Sequence, residues 1–152
     1  MKYNKWLVVA VIIAFLGVAY AGGGLSMRMT DDAAFCGSCH VMYEAVRTHQ
    51  RSVHATIACN ACHIPHDNLI SKMVYKSRSG MRDMYQNTLG TISDVIEVEG
   101  HTRDVVHQNC VRCHAMTVLN TAMEAKQYCT DCHRQVPHFS KIPVAQRRTA
   151  NE

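Results

Sequence analysis

Cys59-Asn60-Ala61-Cys62-His63 is one of four copies of a Cys-x-x-Cys-His pattern that together use every cysteine in this 152-residue chain. The other copies are Cys36-Gly37-Ser38-Cys39-His40, Cys110-Val111-Arg112-Cys113-His114 and Cys129-Thr130-Asp131-Cys132-His133. Two thiols at this spacing can bond to one porphyrin, and the histidine that follows is then held over the iron as an axial ligand. The sequence therefore predicts four covalently bound c-type haems.

A zinc ribbon is the main alternative use of these cysteines. The intervals from Cys39 to Cys59 and from Cys113 to Cys129 suit paired Cys-x-x-Cys zinc ligands. However, neither a ribbon nor a disulfide framework gives a reason for a histidine after each pair. Haem is therefore favoured, and a zinc-ribbon protein with an interaction or nucleic-acid role is the outlying hypothesis. The prediction includes no nucleic-acid partner.

The four motifs form two pairs, within residues 36–63 and 110–133, which suggests a duplicated dihaem module. Aromatic residues make up only 7% of the chain, so side chains alone offer a thin core. The porphyrins are expected to fill most of the interior. The formal net charge of +4 omits the haem propionates and identifies no partner. We predict a mainly α fold: a single transmembrane helix plus a small multihaem cytochrome c domain with little regular secondary structure, built from two dihaem modules.

The N-terminal segment predicts a membrane anchor. Trp6 to Met27 contains no charged residue, and a helix over this stretch would be roughly 30 Å long, about one bilayer core. Lys2 and Lys5 precede the segment and Asp31 and Asp32 follow it, which places the N-terminus in the cytoplasm. The haem domain is then expected on the periplasmic side of the cytoplasmic membrane.

A cleaved secretory signal is the competing interpretation, because Ala19-Tyr20-Ala21 has the small-x-small form of a cleavage site. Both interpretations predict export. The expected organisation is an anchor at residues 1–28, a tetrahaem domain at 29–139 and a polar tail at 140–152.

The segment from Asp67 to Gln86 predicts a helix between the two motif pairs. Its apolar and basic residues alternate with a helical period: Leu69, Ile70, Met73, Val74, Met81 and Met84 lie among Lys72, Lys76, Arg78 and Arg82. Two interpretations stay open. One is an ordinary amphipathic surface helix, and the other is a helix at the membrane interface, with its basic residues toward headgroups and its apolar ones toward lipid or a quinone.

An N-terminal anchor followed by four such motifs resembles the NapC/NirT family of membrane quinol dehydrogenases. The resemblance covers nearly the whole chain, and it is carried by the four motifs and by short stretches around them. These are Val41-Met42 after the first motif, Thr48-His49, His54-Ala55, Pro65-His66, Arg82-Asp83 and Asn87-Thr88-Leu89-Gly90.

The resemblance implies an unusual first haem, with Met42 in place of His40 as the axial ligand. Residues i and i+2 point apart on a helix, so only one of the two should face this iron. The alternative is that Met42 merely packs on a ring edge. The resemblance also implies a quinol site at Lys76 and Asp83, where Asp83 would accept a proton and Lys76 would orient a quinol oxygen. Without the resemblance, both would be interpreted as solvated charges on a helix.

The other axial ligands follow partly from the motifs. His63, His114 and His133 are the expected motif-side ligands of the second, third and fourth haems. The resemblance implies His138 as the distal ligand of the third haem and His54 as that of the fourth. For the second haem it implies a ligand from a partner subunit, with His66 as the alternative within the chain. His101 and His107 are expected at the surface.

The resemblance implies that the chain oxidises menaquinol and passes electrons to a pentahaem cytochrome c nitrite reductase that makes ammonium. The alternative is the same relay feeding another periplasmic reductase, of nitrate, N-oxides or other acceptors. Nitrite reduction by the chain itself is disfavoured because no Cys-x-x-Cys-Lys motif is present.

Overall fold

The computed structural model describes residues 4–93, 95–96, 98, 100–121, 126–136 and 138. Within these ranges the chain is helical and contains no β-strand, which confirms the predicted fold class. The helices are α1 (Lys5–Met29), α2 (Ala33–Cys36), α3 (Tyr43–His49), α4 (Asn60–His63), α5 (Leu69–Leu89), α6 (Gly100–Val118) and α7 (Cys129–Cys132), with a short 3-10 turn over His40–Met42. The predicted tail at 140–152 lies outside the described residues.

Helix α1 corresponds to the predicted anchor. The Asn4 side chain accepts a hydrogen bond from the Trp6 amide at 3.1 Å and so caps the first turn. The helix ends where the Thr30 hydroxyl donates to the Ser26 carbonyl at 2.8 Å. None of its residues is buried, and it is long and apolar enough to cross a membrane.

Helix α5 confirms the helix predicted between the motif pairs. The Asn68 side chain accepts from the Ser71 amide at 2.8 Å and caps its start. Gly90 ends it in the left-handed conformation, at φ 65°, a backbone geometry that glycine adopts without steric cost. The helix is longer than predicted at its C-terminal end.

Helix α6 was not predicted, and it contains the third motif. Its backbone leaves helical geometry at His114, where φ is −106° and ψ is 19°. The kink therefore falls on the motif histidine itself.

The interior contains few side chains. Among the described residues, the buried apolar ones are Val46, Ile64 and Val105, and no side chain is completely enclosed. A soluble domain of this size ordinarily needs a larger apolar core. The apolar core is therefore as small as the composition predicts. The fold needs other apolar groups besides side chains to fill its interior.

Polar contacts tie the motif segments to one another. Asn109 is buried, and its amide donates to the carbonyl of Cys62 at 2.8 Å and to that of Ile64 at 2.9 Å. Arg103 of α6 forms an ion pair with Asp131 of the fourth motif. These contacts join the second motif to the third and the fourth motif to α6.

Candidate haem and quinol site

A thiol of each motif lies close to a thiol of the next motif along the chain. A side-chain hydrogen bond joins Cys36 of the first motif to Cys59 of the second; it raises the pKa of Cys36 and lowers that of Cys59. Burial raises the pKa of Cys62, and the neighbouring Cys113 raises it further. Cys110 of the third motif lies beside Cys129 of the fourth, and burial raises its pKa to about 11. Each motif therefore neighbours the next one in the sequence.

The cysteines are arranged in a way that does not suit zinc or disulfides. All eight are free thiols. Across the part of the chain that the structure describes, no three Cys, His, Asp or Glu side chains converge as ligands of one metal ion. Each motif instead supplies two cysteines at a fixed spacing followed by a histidine, which is the donor set of a c-type haem.

Two groups of histidines lie beside the motifs: His49, His63 and His138 form one, and His54 and His114 form the other. The ring of His138 lies 6.3 Å from that of His49 and 6.1 Å from that of His63, measured between centroids. His54 lies 6.1 Å from His114. The predicted distal ligands His54 and His138 therefore each contact a motif histidine, but not the one with which the resemblance pairs them.

The chemistry of these histidines fits haem ligation. Burial lowers the pKa of His63 to about 4, and the neighbouring His138 and His49 contribute to this shift. The imidazole ring of His63 is therefore neutral, as an iron ligand must be. Among the described residues, the Nδ1 atoms of His49 and His54 are buried without a hydrogen-bond partner, which is rare for buried polar atoms. Iron would be bound through the other ring nitrogen, Nε2.

The remaining motif histidines give a second test of fit. His40, His114 and His133 are exposed in the polypeptide, while the apolar core is small. A flat apolar macrocycle against each of them would bury the imidazole and fill the interior. The residues present therefore fit c-type haem.

The first motif leads directly into the 3-10 turn that contains both candidate ligands. His40 and Met42 are both exposed, Met42 to 38%. Gly37 allows a close approach here, since a Cβ at this position would lie 3.1 Å from the Ala33 carbonyl oxygen and 3.5 Å from Val46. The turn is thus packed tightly on its inner side and open at its two candidate ligands.

Lys76 lies at the junction of α5 with the end of α1. Its ammonium donates to the Met27 carbonyl at 2.6 Å and to the Asp31 carboxylate at 2.5 Å. Asp83 lies seven residues further along α5, on the same side of the helix and about 10 Å away along the axis. Partial desolvation raises the pKa of the Asp83 carboxyl, and the nearby Arg82 opposes this shift. Lys76 and Asp83 therefore share one edge of α5 without a direct contact.

Helix α5 is amphipathic in an unusual sense, because its apolar side faces away from the protein. Its inward side is polar: Tyr75 hydrogen-bonds to Thr102 at 2.9 Å, and Lys72 and Lys76 face Asp31. The outward side is a stripe of large apolar side chains that are each about half exposed or more. This apolar stripe consists of Leu69, Ile70, Met73, Val74, Met81, Met84 and Tyr85.

A polar cavity of about 420 Å³ opens between α5, α6 and the fourth motif. His101 and His107, expected at the surface, both line it. His101 is exposed, but His107 is half-buried, with its Nδ1 3.5 Å from the Cys129 sulfur. His66, the alternative ligand for the second haem, instead hydrogen-bonds to the Asn60 carbonyl at 3.1 Å.

Sequence reasoning missed the roles of Asp31 and Asn109. In the sequence Asp31 is only a charge that flanks the anchor, and its partner Lys76 lies 45 residues further along the chain. Asn109 precedes a motif cysteine, but no local pattern connects it to the carbonyls of Cys62 and Ile64. Neither contact has a signal in a single sequence.

Residues 1–116 match the family model described as the NapC/NirT cytochrome c family, N-terminal region. Over 141 residues the chain is 48% identical to the cytochrome c nitrite reductase subunit NrfH of Nitratidesulfovibrio vulgaris strain Hildenborough, covering 91% of this chain and 88% of that protein. It is 32% identical over 153 residues to the cytochrome c-type protein NrfH of Wolinella succinogenes, with 91% and 86% covered. NapC of Escherichia coli K12 is 26% identical over 166 residues, with 88% and 81% covered.

The fold also matches a chain in the crystal structure of the cytochrome c nitrite reductase NrfHA complex bound to the HQNO inhibitor. The TM-score is 0.80 at 46% sequence identity. The match covers 95% of this chain and 99% of that one.

Proposed function

This chain belongs to the NapC/NirT cytochrome c family, and we propose that it oxidises menaquinol at the membrane and passes the electrons to the catalytic subunit of a cytochrome c nitrite reductase. The observation that carries this proposal is the match over almost the full length to a chain of the NrfHA complex, at a TM-score of 0.80. Each motif neighbours the next one along the chain, and this arrangement supports a relay of electrons from haem to haem. The chain would be the electron-transfer, quinol-dehydrogenase subunit, and the partner a pentahaem enzyme.

We propose that the chain holds four c-type haems, one at each motif. The motif cysteines would form the thioether bonds, and His63, His114 and His133 would be motif-side ligands of the second to fourth haems. His138 and His54 are proposed as distal ligands. The resemblance assigns them to the third and fourth haems, whereas in the structure their rings lie nearest to His63 of the second motif and His114 of the third. When bound, the haems supply one-electron iron centres and a path for electrons away from the quinol site.

At the first haem we propose Met42 as the ligand rather than His40. A thioether ligand raises the potential of a haem relative to one with two histidine ligands, which suits a site that takes electrons from quinol. Redox titration of single variants distinguishes the two residues. Met42→Ala should shift the potential of the first haem, whereas His40→Ala should leave it in place.

The proposed quinol site is the edge of α5 that contains Lys76 and Asp83. Asp83 is exposed at the surface of α5, but partial desolvation raises the pKa of its carboxyl, so it is a better proton acceptor than a fully solvated aspartate. Lys76 is held by Asp31 and the Met27 carbonyl and can donate to a quinol oxygen. Because quinol is dissolved in the membrane, this edge has to be reached from lipid.

We propose that the apolar stripe of α5 lies in the membrane surface. Lys76 joins α5 to the end of the membrane-spanning helix α1, which brings the stripe to the level of the bilayer interface. Arg78 and Arg82 flank the stripe and suit lipid headgroups. With α1 crossing the cytoplasmic membrane from an N-terminus in the cytoplasm, the haem domain would lie on the periplasmic side.

A cysteine introduced at Val74, on the apolar stripe, is expected to be shielded by lipid. In bilayer discs, Val74→Cys should react with a membrane-impermeant maleimide at least about tenfold more slowly than Leu119→Cys. Leu119 is the control because it is exposed to 69%, against 62% for Val74, and lies in the turn that follows α6. Equal rates in discs would mean that the stripe faces water.

The proposed function is tested on the complex purified from membranes, by recording the visible spectrum during addition of a menaquinol analogue and then of nitrite. Haem reduction by the quinol followed by reoxidation by nitrite is the expected result. Reduction without a response to nitrite would support the alternative, a relay to another periplasmic reductase. The similarity of the chain to NapC is the observation that favours this alternative. Absence of any c-type spectrum would overturn the proposal.

A further inference from the structure

Asp31 lies where the end of α1, helix α5 and the second motif meet. Its Oδ1 atom accepts hydrogen bonds from Lys76 Nζ at 2.5 Å and from Asn60 Nδ2 at 2.7 Å. Lys72 Nζ lies 3.9 Å from its other oxygen. One carboxylate thus joins the membrane helix to α5 and, through Asn60, to the motif of the second haem.

The ammonium group of Lys76 has one donor left over. Of its three N–H groups, one donates to Asp31 and one to the Met27 carbonyl. That carbonyl is available because the last carbonyls of a helix lack partners within the helix. The side chains of Lys76 and Asp31 are only 14% and 19% exposed. Lys76 is therefore fixed from two sides and can donate to one further group.

The charge of Asp31 is secured by its surroundings. Burial alone raises the pKa of its carboxyl, but the hydrogen bonds from Lys76 and Asn60, together with the charges of Lys76 and Lys72, outweigh burial and lower the pKa. Asp31 is consequently ionised at neutral pH and pairs with the lysine ammonium.

From this geometry we infer that Asp31 is a positioning residue for quinol oxidation, which holds Lys76 so that the third N–H of its ammonium is available to a quinol oxygen. The inference rests on the proposed function, because it requires Lys76 to meet the substrate. A purely structural ion pair would stabilise the junction without changing how the substrate binds or reacts.

The test uses the full chain with its catalytic partner in bilayer discs. Asp31→Asn is expected to lower kcat/KM for a menaquinol analogue by about 10- to 100-fold, mainly through KM, because it removes a charge-assisted contact that fixes Lys76. Haem content and reduction by dithionite should not change. Asp32→Asn is the matched control, since it removes the same charge one residue away on an exposed side chain. Asp31→Glu should recover most of the activity.

A double variant separates positioning from general stabilisation. If Asp31 acts through Lys76, the combination of Asp31→Asn with Lys76→Met should be no worse than Lys76→Met alone. Additive losses, or equal losses in Asp31→Asn and Asp32→Asn, would overturn the inference.

A second variant covers the case in which Asp31→Asn does not retain its haems. Asn60→Ala removes one hydrogen bond to the carboxylate and keeps the ion pair, so it should raise KM about threefold; an unchanged KM would overturn the inference. If the wild-type complex takes no electrons from menaquinol, the proposed function fails before any variant is compared.

Discussion

Replacing Asp83 by asparagine is expected to slow haem reduction by a menaquinol analogue by about 100-fold or more. Asparagine keeps the size of the side chain but cannot accept a proton, and a positioned general base contributes about 10²- to 10⁴-fold. The measurement is stopped-flow reduction of the haems in the complex. Reduction by dithionite, which needs no proton acceptor at this site, should be unaffected, and Asp83→Glu should retain part of the activity.

The pH dependence of the same reaction gives an independent check. Desolvation raises the pKa of Asp83, and a protonated carboxyl cannot accept the quinol proton. The rate in the wild type should therefore fall as the pH is lowered through this raised pKa, at a higher pH than an ordinary aspartate would cause. Asp83→Asn should lack this fall. If the reduction rate falls at low pH in a similar way in the wild type and in Asp83→Asn, the proton is accepted by another group.

Replacing Cys110 and Cys113 by alanine is expected to prevent the soluble domain from accumulating in folded form. Three buried apolar side chains cannot compensate for the conformational entropy of ordering the chain, so the fold depends on its haems. The measurement is haem content per chain and resistance to protease in isolated membranes. The wild type should contain four haems per chain.

The control for this experiment is the unaltered chain produced in cells that cannot attach haem to protein. It should be degraded at least as readily as the double-alanine variant, because it lacks every haem whereas the variant lacks the one at the third motif. A protease-resistant chain without haem, with a cooperative unfolding transition, would contradict the proposed role of the haems in folding.

The sequence was sufficient for features that depend on local pattern. The motifs, the membrane helix and helix α5 each follow from spacing or periodicity within a single segment. Helix α6 was missed because it has no continuous apolar stripe: its buried residues are only Val105 and Asn109, and a motif interrupts it.

Contacts between distant segments were beyond sequence reasoning. Lys76 and Asp31 pair across 45 residues, and such a pair leaves no periodic signal in one sequence. The same limit applies to the histidines. Each motif identifies one ligand, but only the fold places His54 beside His114 and His138 beside His63. The direction of the apolar stripe on α5 also required the structure, since an outward and an inward stripe have the same periodicity.

The contacts between thiols of consecutive motifs also affect how the domain is assembled. Each motif neighbours the one before it, and contacts between segments that are closer in sequence form earlier and faster, although the contacts that join the second motif to the third span 45 and 47 residues. The domain can then be built progressively from its membrane end, one motif at a time. A defect in the first pair of motifs would leave every later segment without the surface on which it packs, whereas a defect in the last would spare the others.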